Sequence, residues 1–230
     1  MRVARVLFAR IPEPGAVKTR LAADLDDASA YAIYLWLLRI QKRVFENPAP
    51  AGCNYSDYVY YAPRVNRLTA RLRFAPDLAG FRLKYRPQAE GDLGLRLATA
   101  TAEVLKSNDL ALIWGADIPA LPAAIFEQAV ALCPQSVITP ARDGGYAFLS
   151  VARENFTPQI FSGIRWSTHH TGRDQLRALL RANVPVTLTG KVADLDRAKD
   201  FTRIIRELEA LGRVADLEDL TQTLKELCAL

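Results

Sequence analysis

Short runs that are apolar, or that alternate between apolar and polar residues, recur along the chain. Each run is closed by glycine, proline, asparagine or aspartate, a pattern typical of strands. Seven runs predict strands, over residues 3–9, 57–62, 81–85, 109–114, 136–139, 146–151 and 184–188. The run 109–114 is apolar on both faces, as a strand in the middle of a covered parallel sheet should be.

Segments with helical spacing of apolar residues fill most of the intervals between these strands. They predict helices over residues 29–46 (with Ser29 as N-cap), 65–73, from 91 to about 106, from 121–122 onwards, 168–183 and 195–211. Strands that alternate with helices imply right-handed β-α-β units. The sequence therefore predicts an α/β fold of three layers, α/β/α, around a mostly parallel sheet.

One domain over residues 1–230 is expected, with residues 213–230 as a C-terminal helical tail. This tail carries a leucine stripe, Leu217, Leu220, Leu224 and Leu227. The stripe predicts packing on the tail's own domain, and a dimer contact is the alternative.

Composition agrees with a globular protein that has its own core, because 50% of the 230 residues are hydrophobic and 24% are charged. The formal charge is +5, but the basic residues are scattered among acidic ones instead of forming a stripe. A nucleic-acid partner is therefore not expected, and phosphorylated small substrates fit the charge equally well.

The expected location is the cytoplasm. Cys53, Cys133 and Cys228 lie too far apart for a zinc site, and we expect reduced thiols. The first ten residues are too charged for a signal peptide. No apolar run approaches the roughly 20 residues that span a bilayer, so no membrane partner is expected.

The loop after the first strand carries the first candidate chemistry, because ligands of open parallel sheets bind beyond the carboxyl ends of the strands. Gly15 lets the backbone approach a ligand, and Lys18 with Arg20 could neutralise phosphates. A phosphate-binding P-loop is excluded, since that motif needs glycine where Val17 stands. A solvated basic turn remains the alternative.

Acidic residues follow the central strand and precede the last long helix. Asp117 is placed to hold Mg²⁺ or Mn²⁺ against phosphate oxygens, or else to cap a turn. Of Asp194 and Asp196, one is expected to be the N-cap of the following helix, which leaves the other free to complete a two-carboxylate metal site.

Three further segments remain ambiguous at this level. Asp143 and Gly144 are typical of a hairpin turn, although an aspartate with two glycines also suits a loop against substrate. Residues 88–94 open a helix whose free N–H groups favour an anion or the edge of a base. His169 and His170 predict a surface pair, and Trp166 predicts either core or a pocket wall.

Taken together, these segments resemble a small bacterial family with the glycosyltransferase type A fold, related to nucleotidyltransferases. Its members are named nucleotide-diphospho-sugar transferases, radical-SAM-associated transferases or arsenosugar-biosynthesis glycosyltransferases. The matching segments occur in the family's order, at residues 8–21, 88–94, 115–119, 143–146 and 166–168.

This resemblance implies a role for each matching position. The nucleotide would be bound by Arg10, Gly15, Lys18, Arg20, Gln88 and Gly91, and the metal by Asp117 and Asp196. The acceptor would be bound by Asp143, Gly144, Gly145, Tyr146 and Trp166. Lys18, Arg20, Asp117 and Asp143 would be the catalytic set. The sequence departs from the family at Ala120, where an acidic residue is common, and at Ser167, where glycine is usual.

Three functions compete. The first is metal-dependent nucleotidyl transfer from an NTP to a phosphorylated, sugar-like acceptor with release of pyrophosphate, which needs positioning and electrostatic stabilisation but no covalent nucleophile. The second is glycosyl transfer from a nucleotide-diphospho-sugar, although Gly115 occupies the first position of the usual Asp-x-Asp metal motif. The third is a nucleotide-binding module without catalysis.

Overall fold

A computed structural model, which describes residues 1–228, shows a seven-stranded sheet. The strands are β1 (Arg2–Arg10), β2 (Asn54–Ala62), β3 (Lys84–Pro87), β4 (Leu110–Gly115), β5 (Ser136–Pro140), β6 (Tyr146–Ala152) and β7 (Val186–Leu188). Their order is β3-β2-β1-β4-β6-β5-β7, and β6 alone runs antiparallel to its neighbours. The predicted mostly parallel sheet is confirmed.

The helices are α1 (Thr19–Ala22), α2 (Asp27–Ile40), α3 (Lys42–Glu46), α4 (Arg67–Leu78), α5 (Leu93–Leu105), α6 (Ala124–Ala131), α7 (Thr171–Arg181), α8 (Phe201–Ala210) and α9 (Val214–Cys228). Both faces of the sheet are covered. Along β1, Val3 and Leu7 belong to one core cluster, whereas Ala4 and Val6 belong to a second cluster on the opposite face. The three-layer prediction is therefore confirmed.

The observed start of a helix differs from the predicted one where an unexpected aspartate side chain accepts a free backbone N–H group. The helix predicted from residue 29 begins at Asp27, because the side chain of Asp26 accepts the backbone N–H of Ser29 at 2.8 Å. It is divided into α2 and α3 at Gln41. Ser29 is therefore the third residue of the helix and not its N-cap.

The segment before α8 corrects a second prediction. Neither Asp194 nor Asp196 caps this helix, which begins at Phe201. The side chain of Asp200 accepts the backbone N–H groups of Asp196 at 3.1 Å and Arg197 at 2.8 Å. Both earlier carboxylates are therefore free for other contacts.

The leucine stripe of α9 packs on its own chain, as predicted. Leu220 is buried in the core shared with α2, and Trp36 of α2 donates its indole N–H to the backbone oxygen of Asp216. Cys53 and Cys133 are free thiols, whereas the side chain of Cys228 and residues 229–230 lie outside the described part. None of the described helices is long and apolar enough to cross a membrane.

Candidate active site

A crevice opens at the edge where the parallel strands end. It consists of two adjoining cavities of about 370 Å³ and about 300 Å³. We call the first the cationic cavity, since Arg10, Lys18 and Arg20 line it, and the second the aromatic cavity, since Tyr146 and Trp166 line it. The two share the lining residues Phe8, Arg20, Leu93, Gly115, Asp117 and Asp196. Lys18 and Asp117 therefore converge on one crevice, as the sequence predicts.

The turn after β1 places its lysine inside the protein. Lys18 has left-handed backbone angles (φ 48°, ψ 41°), an unfavourable conformation for a side-chain-bearing residue that is often found at functional sites. Its side chain is only 8% exposed, and its Nζ donates to the backbone oxygen of Leu195 at 2.7 Å and to Asp196 at 3.2 Å. The Lys18 side chain is therefore shielded from solvent, although other residues of this turn are exposed.

Arg20 occupies the open side of the same turn. Its side chain is 63% exposed, and its Nη1 lies 3.2 Å from Oδ2 of Asp196. Asp196 therefore pairs with both cations of the turn. Because Lys18 is inside and Arg20 is at the entrance, the pair presents positive charge along the depth of the cationic cavity.

Asp117 stands directly beyond β4, and Gly115 makes room for it. A Cβ atom at position 115 would lie 2.4 Å from Oδ1 of Asp117, so any side chain there would displace the carboxylate. Among residues 1–228, no side chain or backbone N–H donates a hydrogen bond to this carboxylate. The alternative role of Asp117 as a turn cap is therefore not observed.

The loop that carries Asp117 is held from both sides. Gln41 approaches the backbone oxygens of Ala116 and Ile118 with its Nε2, at 3.4 and 3.5 Å. From the C-terminal part of the chain, the backbone N–H of Leu195 donates to the backbone oxygen of Asp117 at 3.1 Å. This last bond brings the 194–196 segment against the Asp117 loop.

Asp194 lies near the carboxylates of the crevice, although it lines neither cavity. Burial, together with the carboxylates of Asp143, Asp117 and Asp196, raises the pKa of Asp194 to about 6. Asp196 has two cationic partners, whereas Asp194 accepts no hydrogen bond from another described residue. No group of three or more histidine, cysteine, aspartate or glutamate side chains within residues 1–228 is arranged to hold a metal ion.

The aromatic cavity is built by close packing around glycine. Trp166 lies over the first turn of α5, where a Cβ on Gly94 would come within 2.6 Å of the indole nitrogen. The rings of Tyr146 and Trp166 meet edge to face at 6.5 Å. The Tyr146 hydroxyl is buried without a hydrogen-bond partner in the described structure, and burial raises the pKa of this phenol. Trp166 is a pocket wall whose partly buried ring also packs against the core.

The turn between β5 and β6 is a hairpin and also lines the aromatic cavity. Oδ1 of Asp143 accepts the backbone N–H of Gly145 at 2.7 Å, and both residues line the cavity. A Cβ on Gly144, which has φ +95°, would lie 2.3 Å from the backbone oxygen of His169. The rings of His169 and His170 lie 3.8 Å apart at a tilt of 49° before α7, with His169 exposed and His170 half-buried.

We expect Gly144→Ala to lower the free energy of unfolding by about 2 kcal/mol more than Gly80→Ala does. Gly80 has nearly the same φ, +96°, but a Cβ there would meet nothing within 4 Å, so the two variants share the backbone strain and differ in the clash. Urea denaturation of both variants measures the difference. Equal losses would show that the backbone at His169 moves aside without a further loss of stability.

Among the predicted site residues, Gln88 reaches the crevice, whereas three glycines do not. Gln88 lines the cationic cavity and donates its amide N–H to the backbone oxygen of Tyr60 at 3.0 Å. Gly15, Gly91 and Gly144 line neither cavity. Gly15 and Gly91 have φ values of +72° and +110°, so they shape the backbone of the surrounding loops.

Tyr34 also lines the cationic cavity, although the sequence pattern assigns it only to a helix. Its hydroxyl donates to the backbone oxygen of Arg10 at 2.6 Å, which ties α2 to the end of β1. Burial raises the pKa of Tyr34, and the nearby carboxylate of Asp117 contributes to the rise. No periodicity argument could have distinguished this tyrosine from the rest of the buried face of α2.

The chain matches a known protein family over more than half of its length. Residues 50–168, just over half of the chain, match the family described as "Uncharacterized protein conserved in bacteria (DUF2064)". The chain belongs to DUF2064. The matched part includes Gln88, Asp117, Asp143, Tyr146 and Trp166. No curated protein matches this DUF2064 chain.

Solved structures share the fold of the DUF2064 chain over nearly its whole length. A protein from Desulfovibrio desulfuricans G20, provisionally named a nucleotide-diphospho-sugar transferase, is 25% identical with a TM-score of 0.74 and covers 92% of this chain and 96% of its own. A 4-diphosphocytidyl-2C-methyl-D-erythritol synthase is 13% identical (TM-score 0.54, 90% and 100% covered). The manganese complex of Rv0371C from Mycobacterium tuberculosis H37Rv is 15% identical (TM-score 0.50, 90% and 99% covered).

These matches confirm the family resemblance and the fold of the DUF2064 chain. Its departure at position 167 has a structural consequence. Ser167 adopts a left-handed backbone, φ 58°, a conformation in which glycine would be unstrained. Ala120, the second departure, is buried in the core beside the Asp117 loop, so no acidic side chain enters the site from that position.

We expect Asp194→Asn to change the pH dependence of stability in metal-free buffer. The wild-type unfolded chain loses the Asp194 proton near the ordinary aspartate pKa of 3.8, whereas the folded state keeps it up to about pH 6. Wild-type stability therefore falls as the pH rises from 4 to 6, by on the order of 1–2 kcal/mol after allowance for partial solvent exposure. Asp194→Asn removes that fall, so its stability relative to wild type should be higher at pH 7 than at pH 4. A constant difference would contradict the assignment.

Proposed function

We propose that this protein is a metal-dependent nucleotidyltransferase that joins the nucleotidyl group of an NTP to a phosphorylated, sugar-like acceptor and releases pyrophosphate. The arrangement that supports the proposal most is the convergence of opposite charges on one crevice, whose lining includes Lys18, Arg20 and Asp117. The relative that is 25% identical is named a transferase. The chain is then one nucleotide-binding domain over residues 1–230, in the cytoplasm.

The cationic cavity would hold the triphosphate. Lys18 and Arg20 would pair with the β- and γ-phosphates, which carry the charge of the leaving pyrophosphate. Gln88 at the end of β3 would contact the base. Binding of an anion would compete with Asp196 for these two cations, so nucleotide binding is expected to loosen the Lys18–Asp196 pair.

The acidic side of the crevice fits a divalent cation. Carboxylate oxygens are the ligands that Mg²⁺ and Mn²⁺ prefer. Burial is the largest cause of the raised pKa of Asp194, and the nearby carboxylate of Asp117 contributes to the rise. Asp117 and Asp194 would hold the ion. Asp196, which the family resemblance implies as second ligand, already has Lys18 and Arg20 as partners. The bound ion would supply charge neutralisation at the α-phosphate.

In the reaction, an oxygen of the acceptor's phosphate attacks the α-phosphorus and the bond from this phosphorus to the β-phosphate oxygen breaks. The electron pair of that bond leaves with pyrophosphate, whose charge Lys18 and Arg20 stabilise. The acceptor would lie in the aromatic cavity against Trp166 and Tyr146, with Asp143 bonding its hydroxyl groups. Side chains of the protein position the reactants, and no covalent enzyme intermediate is needed.

Glycosyl transfer from a nucleotide-diphospho-sugar is the second candidate, favoured by the name of the 25% identical relative and by the aromatic cavity. The contact between position 115 and Asp117 argues against it, because an Asp-x-Asp motif cannot form without displacing Asp117. A third possibility is nucleotide binding without turnover.

Product analysis separates these functions. The protein is incubated with each NTP, Mg²⁺ or Mn²⁺ and a panel of sugar phosphates, and in parallel with nucleotide-diphospho-sugars and candidate acceptors. Nucleotidyl transfer predicts pyrophosphate that depends on both metal and acceptor. Release of nucleoside diphosphate from the sugar nucleotides would instead identify a glycosyltransferase. Binding of nucleotide without either product would leave only a binding module.

A further inference from the structure

A third cavity, of about 460 Å³, lies behind the Asp117 loop and shares no lining residue with the crevice. We call it the rear cavity. The junction of α2 and α3, residues 118–124 and the turn between α8 and α9 enclose it. The proposed reaction uses none of these residues.

Two arginines line the rear cavity and share one carboxylate. Arg43 and Arg213 each donate their Nε to Asp216, whose side chain is only 9% exposed. Arg213 also donates its Nη1 to the backbone oxygen of Pro119 at 2.7 Å. Glu46 is the acidic residue of the lining, but it is exposed and lies at the rim.

Arg213 has more donors than the protein satisfies. Its Nη2 is buried, and it has no hydrogen-bond partner among the described residues. Burial lowers the pKa of this guanidinium, because desolvation disfavours the charged form. Because water cannot reach this atom, neither can a ligand, and the arginine that is open to the cavity is Arg43, whose side chain is 46% exposed.

The first turn of α6 adds further donors to the same cavity. Ala123 and Ala124 line it, and α6 has no side-chain cap. The first backbone N–H groups of this turn that have acceptors are those of Ile125 and Phe126. Within residues 1–228, the N–H groups of Ala123 and Ala124 therefore remain available to an acceptor, at the positive end of the helix.

The remaining wall of the rear cavity is apolar. It consists of Ile40, Val44, Ile118, Leu121 and Leu211. A ligand that satisfies this wall and the donors together has an apolar body and one compact group of acceptor oxygens. Since Glu46 stands at the rim, a group with one negative charge fits better than a doubly charged phosphate.

We propose that the rear cavity is a second binding site, for a small organic carboxylate with an apolar body. The carboxylate accepts from Arg43 and the first turn of α6, and the apolar body packs against the aliphatic wall. The site is distinct from the crevice, and its existence does not depend on the proposed transferase activity.

The rear cavity also touches the elements that hold Asp117. Arg213 bonds the backbone oxygen of Pro119, and Gln41, another lining residue, approaches the oxygens of Ala116 and Ile118. An occupant that reorients either side chain therefore acts on the loop that carries Asp117.

Phenylacetate is a suitable probe, with phenylacetamide as its uncharged match. In ¹H–¹⁵N spectra of the full chain, phenylacetate should shift the amides of Ala123 and Ala124 saturably, and phenylacetamide should bind at least about tenfold more weakly. Ala124→Asp adds an acidic side chain that suits a first helical turn but repels the ligand, so it should weaken binding about tenfold while preserving the helix. Gln128→Glu makes the same charge change farther along α6 and should leave affinity within about twofold.

Two further variants test whether the probe binds in the rear cavity and not in the crevice. Arg43→Gln removes one guanidinium and leaves Asp216 paired with Arg213, so the fold is retained while binding should weaken about tenfold. Arg20→Gln removes positive charge only from the crevice and should leave these amide shifts unchanged. Absence of saturable shifts, equal affinity for the two probes, or binding lost in Arg20→Gln and retained in Ala124→Asp would overturn the proposal.

Discussion

Asp117→Asn is expected to lower metal-dependent turnover by about 10²- to 10³-fold. Asparagine keeps the shape of the side chain over Gly115 but supplies a neutral oxygen where the proposed metal ion needs a charged one. The carboxylate accepts no hydrogen bond from residues 1–228, so the free energy of unfolding should change by less than about 1 kcal/mol. Turnover is measured across a Mn²⁺ titration, and stability by urea denaturation of the metal-free protein.

Glu209→Gln is the matched control for this variant. It makes the same change of charge at an exposed position on α8, remote from the crevice. Wild-type turnover in Glu209→Gln together with the loss in Asp117→Asn would assign the effect to the position and not to net charge. Unchanged turnover in Asp117→Asn, at any Mn²⁺ concentration, would remove Asp117 from the mechanism.

Lys18→Gln is expected to lower kcat/KM by about 100-fold, which corresponds to roughly 2.7 kcal/mol of lost transition-state stabilisation. The Lys18 side chain is 8% exposed at the inner end of the cationic cavity, where water screens its charge poorly. Steady-state kinetics with the nucleotide as varied substrate measures the loss. Arg20→Gln, at the 63% exposed position, should cost about tenfold, since solvent screens that charge more.

A structural role of Lys18 predicts a different result. Its Nζ also bonds Leu195 and Asp196, so the substitution removes one link between the N-terminal turn and residues 195–196. If that link were its whole function, Lys18→Gln would lower the free energy of unfolding while kcat/KM per folded molecule stayed at the wild-type value. Circular-dichroism melting curves recorded beside the kinetics distinguish the two roles.

The positions of the strands could be predicted from the sequence because burial on both faces leaves a strong local pattern. β4 shows this most clearly, since all of Leu110 to Trp114 is buried. Once the strands are parallel, their carboxyl ends meet at one edge. That rule alone predicts that the loops carrying Lys18 and Asp117 lie together, and the structure confirms it.

Residues whose roles depend on distant partners could not be predicted in this way. Asp194 and Asp196 are equivalent in the sequence, and they differ only because Lys18 and Arg20, more than 170 residues earlier, reach one and not the other. Asp200, and neither Asp194 nor Asp196, accepts the backbone N–H groups before α8. Which aspartate does so depends on backbone angles that the periodicity of apolar residues does not encode. The rear cavity joins the junction of α2 and α3, the start of α6 and the turn between α8 and α9, which no local pattern connects.

The role of Gly115 could not be predicted from the sequence either. As a residue type it suggests a missing metal ligand of an Asp-x-Asp motif, but the structure shows that its lack of a side chain makes room for the carboxylate of Asp117. A glycine beside a functional residue is informative only when the direction of its absent Cβ is known. That direction depends on the backbone geometry at the end of β4 and in the turn after it. The sequence predicts where β4 ends but not how the backbone turns there.

Calorimetric titration of nucleotide with and without Mn²⁺ tests the central claim, that cations of the first turn and carboxylates beyond β4 form one metal–nucleotide site. We expect Mn²⁺ to raise nucleotide affinity at least about tenfold in the wild type, and this gain to disappear in Asp117→Asn while metal-free affinity stays the same. Lys18→Gln should weaken binding with and without the metal. Nucleotide affinity that is independent of Mn²⁺ in the wild type, or a gain that survives in Asp117→Asn, would contradict the account.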